Sequence, residues 1–171
     1  MATYIQIGST VTVGAGGAAS MDFSSIPSTF TDLKLVVCAR DTISASACDT
    51  RIRFNGDTGS NYSFRQIIGN GSSVSSNSNT TTSLYTAIIP AATSTASTFG
   101  NYEVYIPNYA GSTQKSTSTD GVSENNGTTA YAKLGAGLWT GTAAINAISV
   151  LTDGTLFAQY STATLYGISK S

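Results

Sequence analysis

The sequence predicts an all-β protein, a two-sheet antiparallel β-sandwich of jelly-roll-like character, and three observations lead there. Val, Ile, Thr, Tyr and Phe recur in short runs broken by Gly, Asn, Asp, Ser and Pro, the residue choice of strands and turns. No stretch of eleven residues carries a helical period. The runs are many, short and closely spaced, as in sandwiches and barrels. With 171 residues, the whole of 1–171 reads as one domain. A domain of that size hides roughly 70% of its unfolded surface, enough for a core without metals or staples.

Strands are expected over residues 4–8, 9–13, 19–23, 33–40, 50–54, 62–68, 83–90, 101–107, 113–119, 130–138, 145–151, 156–160 and 162–168. The sharpest pattern lies in 33–54. Leu33, Leu35 and Val37 alternate with Lys34, Val36 and Cys38, while Thr50, Ile52 and Phe54 alternate with Arg51 and Arg53. A one-residue slip would exchange the faces of a strand, so the apolar sets should meet. As a hairpin, the two segments would set Leu33 against Phe54 and Leu35 against Ile52, with Arg51 and Arg53 on the same side as Lys34. Cys38 then falls on the outward face and Cys48 on the inward one. Disulfide geometry needs Cβ atoms close and aimed together, so free thiols are expected.

Asn55-Gly56 after Phe54 is a tight-turn signal, and Gly14–Gly17 reads as a connector. Ile26-Pro27 and Pro107-Asn108 close strands, because proline cannot donate to a ladder. Two stretches rich in Ser, Thr and small residues, 69–83 and 91–98, read as long surface loops.

Charge is the unusual quantity. Only 10% of residues are Asp, Glu, Lys or Arg, against about 25% in ordinary soluble domains. Ser, Thr, Asn and Gly replace them, which leaves a hydrogen-bonding surface with little like-charge repulsion. The eight basic and nine acidic residues are scattered, for a net charge of −1. No basic cluster exists to neutralise phosphates, so no nucleic-acid partner is expected. No transmembrane span is visible, and residues 1–8 lack the features of a secretory signal, so neither a membrane partner nor Sec export is expected.

The chain contains no histidine. That removes Ser-His-Asp and Cys-His catalysis and the His-containing zinc sites. Two cysteines are too few for a structural zinc site, and no phosphate-binding glycine loop occurs. Most of the nine carboxylates fall at expected turns, where local hydrogen bonding favours them. Glu103 sits in mid-strand and reads as an exposed strand position. Residues 55–61 offer oxygen atoms in the manner of a calcium loop but lack its spacing and bidentate glutamate, so they read as a plain turn. The sequons at Asn61, Asn70, Asn79 and Asn126 follow from composition. The tyrosines could form a carbohydrate platform, but they also suit half-buried strand and interface positions. Trp139, after the apolar run 134–138, is assigned to the core. No enzyme activity, cofactor or metal is expected.

Four stretches resemble virion structural proteins of tailed bacteriophages, particularly those of cyanobacteria and other aquatic bacteria. They are IPSTFTDLKLVV at 26–37, RFNGDTGSNYS at 53–63, YEVYIPNYA at 102–110 and STATLYGI at 161–168. The resemblance implies a β-sandwich subunit of the particle exterior, made in the host cytoplasm and released by lysis. It carries no site residue with it.

Within that group, one small domain without a coiled-coil shaft or repeat favours a capsid decoration or cement protein. It would be a homotrimer seated on other virion proteins, the major capsid protein first. A tail-associated or fibre-tip module binding a host-surface glycan is the alternative. The candidate interface comprises Tyr4, Ile5, Ile7, Val11 and Val13, within an N-terminal arm of residues 1–25 used in assembly, together with a face formed by Lys34, Arg51 and Arg53.

Overall fold

The computed structural model describes residues 2–169. It contains thirteen strands and no helix among them: β1 (Thr3–Gln6), β2 (Val11–Thr12), β3 (Ser20–Phe23), β4 (Asp32–Ala39), β5 (Ala47–Phe54), β6 (Tyr62–Gly69), β7 (Val74–Thr81), β8 (Leu84–Pro90), β9 (Gly100–Pro107), β10 (Lys115–Ser123), β11 (Tyr131–Trp139), β12 (Ile148–Thr152) and β13 (Thr162–Ser169). The strands form two antiparallel sheets, as the residue pattern predicts. The large sheet has nine strands in the order β1-β13-β4-β9-β10-β11-β6-β7, with β2 also on β13. The small sheet has four, in the order β3-β12-β5-β8. Successive strands repeatedly change sheet, from β3 through β6 and again at β8, β9, β12 and β13, which is the jelly-roll-like feature.

Alternation places the core. On β4, Leu33, Leu35, Val37 and Ala39 are buried, and on β5 so are Thr50, Ile52 and Phe54. Met21, Phe23, Val104, Ile106, Ile148, Val150 and Leu165 complete the layer between the sheets. Each large apolar side chain buried here contributes about 1.5–3 kcal/mol. One end is closed by aromatics, with Phe54, Tyr62 and Trp139 in mutual contact. Burial pushes the Tyr62 hydroxyl up to about 12, and it stays protonated while bridging the carbonyls of Phe54 and Asp57.

The expected hairpin between the β4 and β5 segments does not form. β4 lies between β13 and β9, and β5 between β12 and β8. Leu33 is therefore opposite Gly167 and Ile106 rather than Phe54. Both apolar sets belong to the one buried core, each in its own sheet. Alternation is satisfied equally by either arrangement, so it could not choose between them.

The stretch 69–83, expected as a loop, contains β7 in unbroken register with β6. Its residues are exposed on both faces, so nothing in their polarity announced a strand. The expected strand 156–160 reduces to bridges from Phe157 to Ala18 and Asp41, and 9–13 shrinks to β2. The stretch 91–98 is a loop, and it is tied down. The Arg40 guanidinium donates to the carbonyls of Ser94, Thr95 and Thr98 at 3.1, 2.8 and 2.9 Å. At the opposite end the buried Lys115 ammonium donates to the carbonyls of Gly111, Thr113 and Thr142.

Inter-sheet spacing is set where β10 crosses β8. A Cβ on Gly121 would lie 2.8 Å from the Ala87 Cβ and 3.1 Å from that of Tyr102. Gly121→Ala should therefore force the sheets apart and cost about 1–3 kcal/mol, as overpacking does. In urea titration this reads as a lower midpoint with an unchanged slope. A midpoint equal to wild type would contradict the packing described.

Candidate interaction face

Six charged side chains answer one another in three ion pairs among the described residues. Lys34 and Glu103 meet at 2.6 Å, Arg51 pairs with Asp153, and Lys133 meets Asp49 at 3.0 Å. Lys133 points inward at the uncovered margin of the core, its side chain only 1% exposed. Burial lowers its ammonium and the Asp49 carboxylate pulls in the other direction. Arg51 and Lys133 both sit over the Tyr85 ring at 5.6 Å.

Residues 55–61 form a turn in which the Asp57 carboxylate and the Asn55 side-chain oxygen accept from protein donors. Asn55 and Gly56 both adopt positive φ, 52° and 69°, the conformation that makes this dipeptide a turn former. The Asp57 carboxylate accepts from Gly59 N at 2.8 Å, from Asn61 Nδ2 at 3.0 and 3.2 Å, and from Trp139 Nε1 at 2.7 Å. The Trp139 hydrogen bond, with those of Asn61 and Gly59, holds the carboxyl below the ordinary value of 3.8. Asp57 thus staples the turn to the tryptophan, which lies in the core as its apolar context predicts.

The expected Lys34/Arg51/Arg53 face does not exist as one surface. Lys34 projects from the large sheet, whereas Arg51 and Arg53 project from the small one. Val13 is also corrected: it is 3% exposed and belongs to the core. Ile7 and Val11 are half-buried against that core, while Tyr4 and Ile5 are exposed. Tyr4 lies edge-on to Tyr166, with the Lys34 ammonium 5.9 Å from its ring centre. Of the residues singled out from sequence, Tyr4 and Lys34 come together, at one margin of the large sheet.

The outer surface of that sheet is where exposed apolar residues gather. Val36, Val122, Leu134, Ile67 and Val74 are exposed by 40%, 41%, 59%, 53% and 75%. In register, Val36, Glu103, Asp120, Leu134, Ile67 and Ser76 form one row across β4, β9, β10, β11, β6 and β7. The surface is concave over β10, β11, β6 and β7. A trough of about 640 Å³ lined by Ile67, Leu134, Ala136, Ser118, Ser76 and Arg65 shares walls with a second of about 520 Å³ that reaches Leu138 and Thr80. The outer surface of the small sheet differs in kind, with Asp22, Asp49, Arg51 and Arg53 along it. Apolar groups exposed together, rather than singly, mark surfaces that other molecules cover.

Leu134 and Ile67 were missed because an apolar strand residue is read as inward by default. In β11 the usual assignment is inverted: Lys133 is buried and Leu134 exposed. Gly135 and Gly137 occupy the inward positions, their missing Cβ atoms leaving room for the Thr119 and Thr117 hydroxyls. The signal was the alternation of Ala132, Leu134, Ala136 and Leu138 with Lys133, Gly135 and Gly137.

Two predictions follow from these environments. The Asp57 carboxyl is lower in the folded chain than its unfolded value of about 3.9, so its stabilisation is complete above that pH. It is lost as pH falls through the folded value. Trp139 fluorescence should therefore titrate in the acid range below pH 4, and Asp57→Asn should remove that transition while global unfolding persists. Cys38 and Cys48 are both free, the first exposed and the second buried. An aromatic disulfide reagent should modify one thiol rapidly in the native protein, a phase that Cys38→Ser abolishes, and two after unfolding without reductant.

Comparison of the chain with family models, with curated proteins and with solved structures returns no match. The functional reading therefore rests on the outer face of the large sheet and on the composition of the chain.

Proposed function

We propose that this chain is a structural subunit of a tailed-phage particle, a decoration or cement protein that docks on the head shell through the outer face of its large sheet. The observation that carries the reading is the concave apolar surface around Leu134 and Ile67. The low charge of the chain supports it, because a neutral surface meets little repulsion on approach to a neighbour. The sequence resemblance to virion structural proteins points the same way.

Magnitudes decide the mode of action. Val36, Val122, Leu134 and Ile67 are already about half buried, so covering the rest would yield about 3–6 kcal/mol gross. Association costs about 4–15 kcal/mol in lost freedom. One copy on one shell subunit would bind weakly. A copy that touches two shell subunits at once gains effective concentration, and so locks them together. Because such contacts exist only in the assembled shell, they stabilise that state by mass action. The exposed Tyr4 of the N-terminal arm, in register on the outer face beside Tyr166 and Lys34, extends the same docking surface, while Ile5 turns to the inner face; the major capsid protein is the expected partner. The reading assigns the chain no reaction.

The trough also favours a second reading, a fibre-tip module for a host-surface glycan, since Ser76, Ser78, Ser118 and Arg65 present hydrogen-bonding groups beside Leu134. Both readings are separated by one set of proteins. Added to shells that lack it, the wild-type chain should raise the temperature of shell disruption. Leu134→Lys should fail to do so while retaining its fold, and Arg53→Ala on the opposite face should match wild type. Unchanged shell stability, together with binding of wild type but not Leu134→Lys on a glycan array, would replace the first reading with the second.

A further inference from the structure

The sandwich leaves one long sheet edge open. β7 is the last strand of the large sheet, paired on one side with β6 throughout its length. The other edge strands are guarded: β1 and β3 have four residues each, and β8 is largely buried and ends in Pro90. Sheet edges are normally protected by shortness, charge, proline or a bulge. β7 has eight residues, VSSNSNTT, with no charge, no proline and no break in register.

The hydrogen-bond phase of the β6–β7 hairpin identifies its free groups. At the turn, Asn70 N donates to Ser73 O at 3.2 Å, so those residues face each other as a bonded pair. Antiparallel pairs alternate from there. Ser75, Asn77, Asn79 and Thr81 direct their backbone groups to β6, and Val74, Ser76, Ser78 and Thr80 direct theirs to the open edge. The Asn79 side chain caps the last of these, its Oδ1 accepting from Thr80 N at 2.8 Å. Val74, Ser76 and Ser78 are left, and that set is symmetric about Ser76.

We infer that β7 pairs with β7 of a second copy of this chain about a two-fold axis at Ser76, joining two large sheets into one. Ser76 then exchanges two backbone hydrogen bonds with its own counterpart, and Val74 of each copy exchanges two with Ser78 of the other. A two-fold pair matches each strand with itself, so a charged edge would meet its own charge, and this edge has none. The nearest cation on the outer face, Arg65 beside Ser78, lies about 20 Å from its symmetry mate by strand spacing and rise. That is about two and a half times the screening length at physiological salt. The outer faces of both copies stay on one side, which doubles the concave surface. The assembly is a dimer, not the homotrimer expected of a decoration protein, and it stands independently of the shell reading.

Sedimentation velocity of the full chain across a concentration series tests it, with a reversible dimer expected. Ser76→Pro removes an outward N–H that makes no bond within the chain, a place where an edge strand tolerates proline. It should give a monomer with an unchanged far-UV circular dichroism spectrum, and Ser78→Lys should weaken the dimer at least tenfold. In this register Ser75 opposes Asn77 of the other copy as a non-bonded pair, at a spacing of about 4.5 Å that a disulfide can span. Ser75→Cys combined with Asn77→Cys, on a Cys38→Ser background, should oxidise to a covalent dimer. A wild-type monomer at every concentration, a trimer, or a dimer indifferent to both Ser76→Pro and Ser78→Lys would overturn the inference.

Discussion

Four strands have to cover the inner surface of nine, and that mismatch governs the rest of the molecule. The small sheet packs its β8 edge over β9, β10 and β11, and the inner surface of β6 and β7 runs on beyond it. Where cover is complete, the inner residues are Leu, Ile, Val and Phe. Toward the margin they become Thr117, Thr119, Lys133 and Gln66, all buried. Such groups are costly inside, about 1–3 kcal/mol for each polar atom left without a partner. Lys133 avoids that cost by meeting Asp49 at the edge of the small sheet. The glycines of β11 admit the threonine side chains from β10. Thr117 Oγ1, Thr119 Oγ1 and Gln66 Oε1 have no partner within the chain and carry that cost.

The same mismatch turns the large sheet into the dominant outer surface. Its charges are few; one pair among them, Lys34 with Glu103, is of the exposed kind that contributes little to stability. The small sheet carries the denser charge, with its arginines tied to Asp153 and to the Thr82 carbonyl. The sandwich therefore has two unlike sides, one solvated by ions and one whose apolar groups stand ready for cover.

Much of the interior was legible because one face of each central strand is buried. Alternation assigned Leu33, Leu35, Val37, Ile52 and Phe54 inward, and it sent Cys38 outward and Cys48 inward, so that both thiols are free. Strand partners were not legible, since an apolar row is satisfied by a neighbour in the same sheet or by one across the core. β7 was hidden for a different reason. A strand covered on neither face has no period to read, and its order comes from the ladder with β6. The outward face was concealed by the habit of placing every leucine inside, which fails at Leu134 because Lys133 takes the inner position.

The central claim is that other proteins cover the outer face of the large sheet. Hydroxyl-radical footprinting of the chain, free in solution and bound in assembled particles, tests it residue by residue. Oxidation of Leu134, Ile67 and Val36 should fall on assembly, while that of Tyr85 and Leu151 on the small sheet stays as it was. Equal oxidation of Leu134 and Ile67 in both states, or protection confined to the small sheet, would contradict the account.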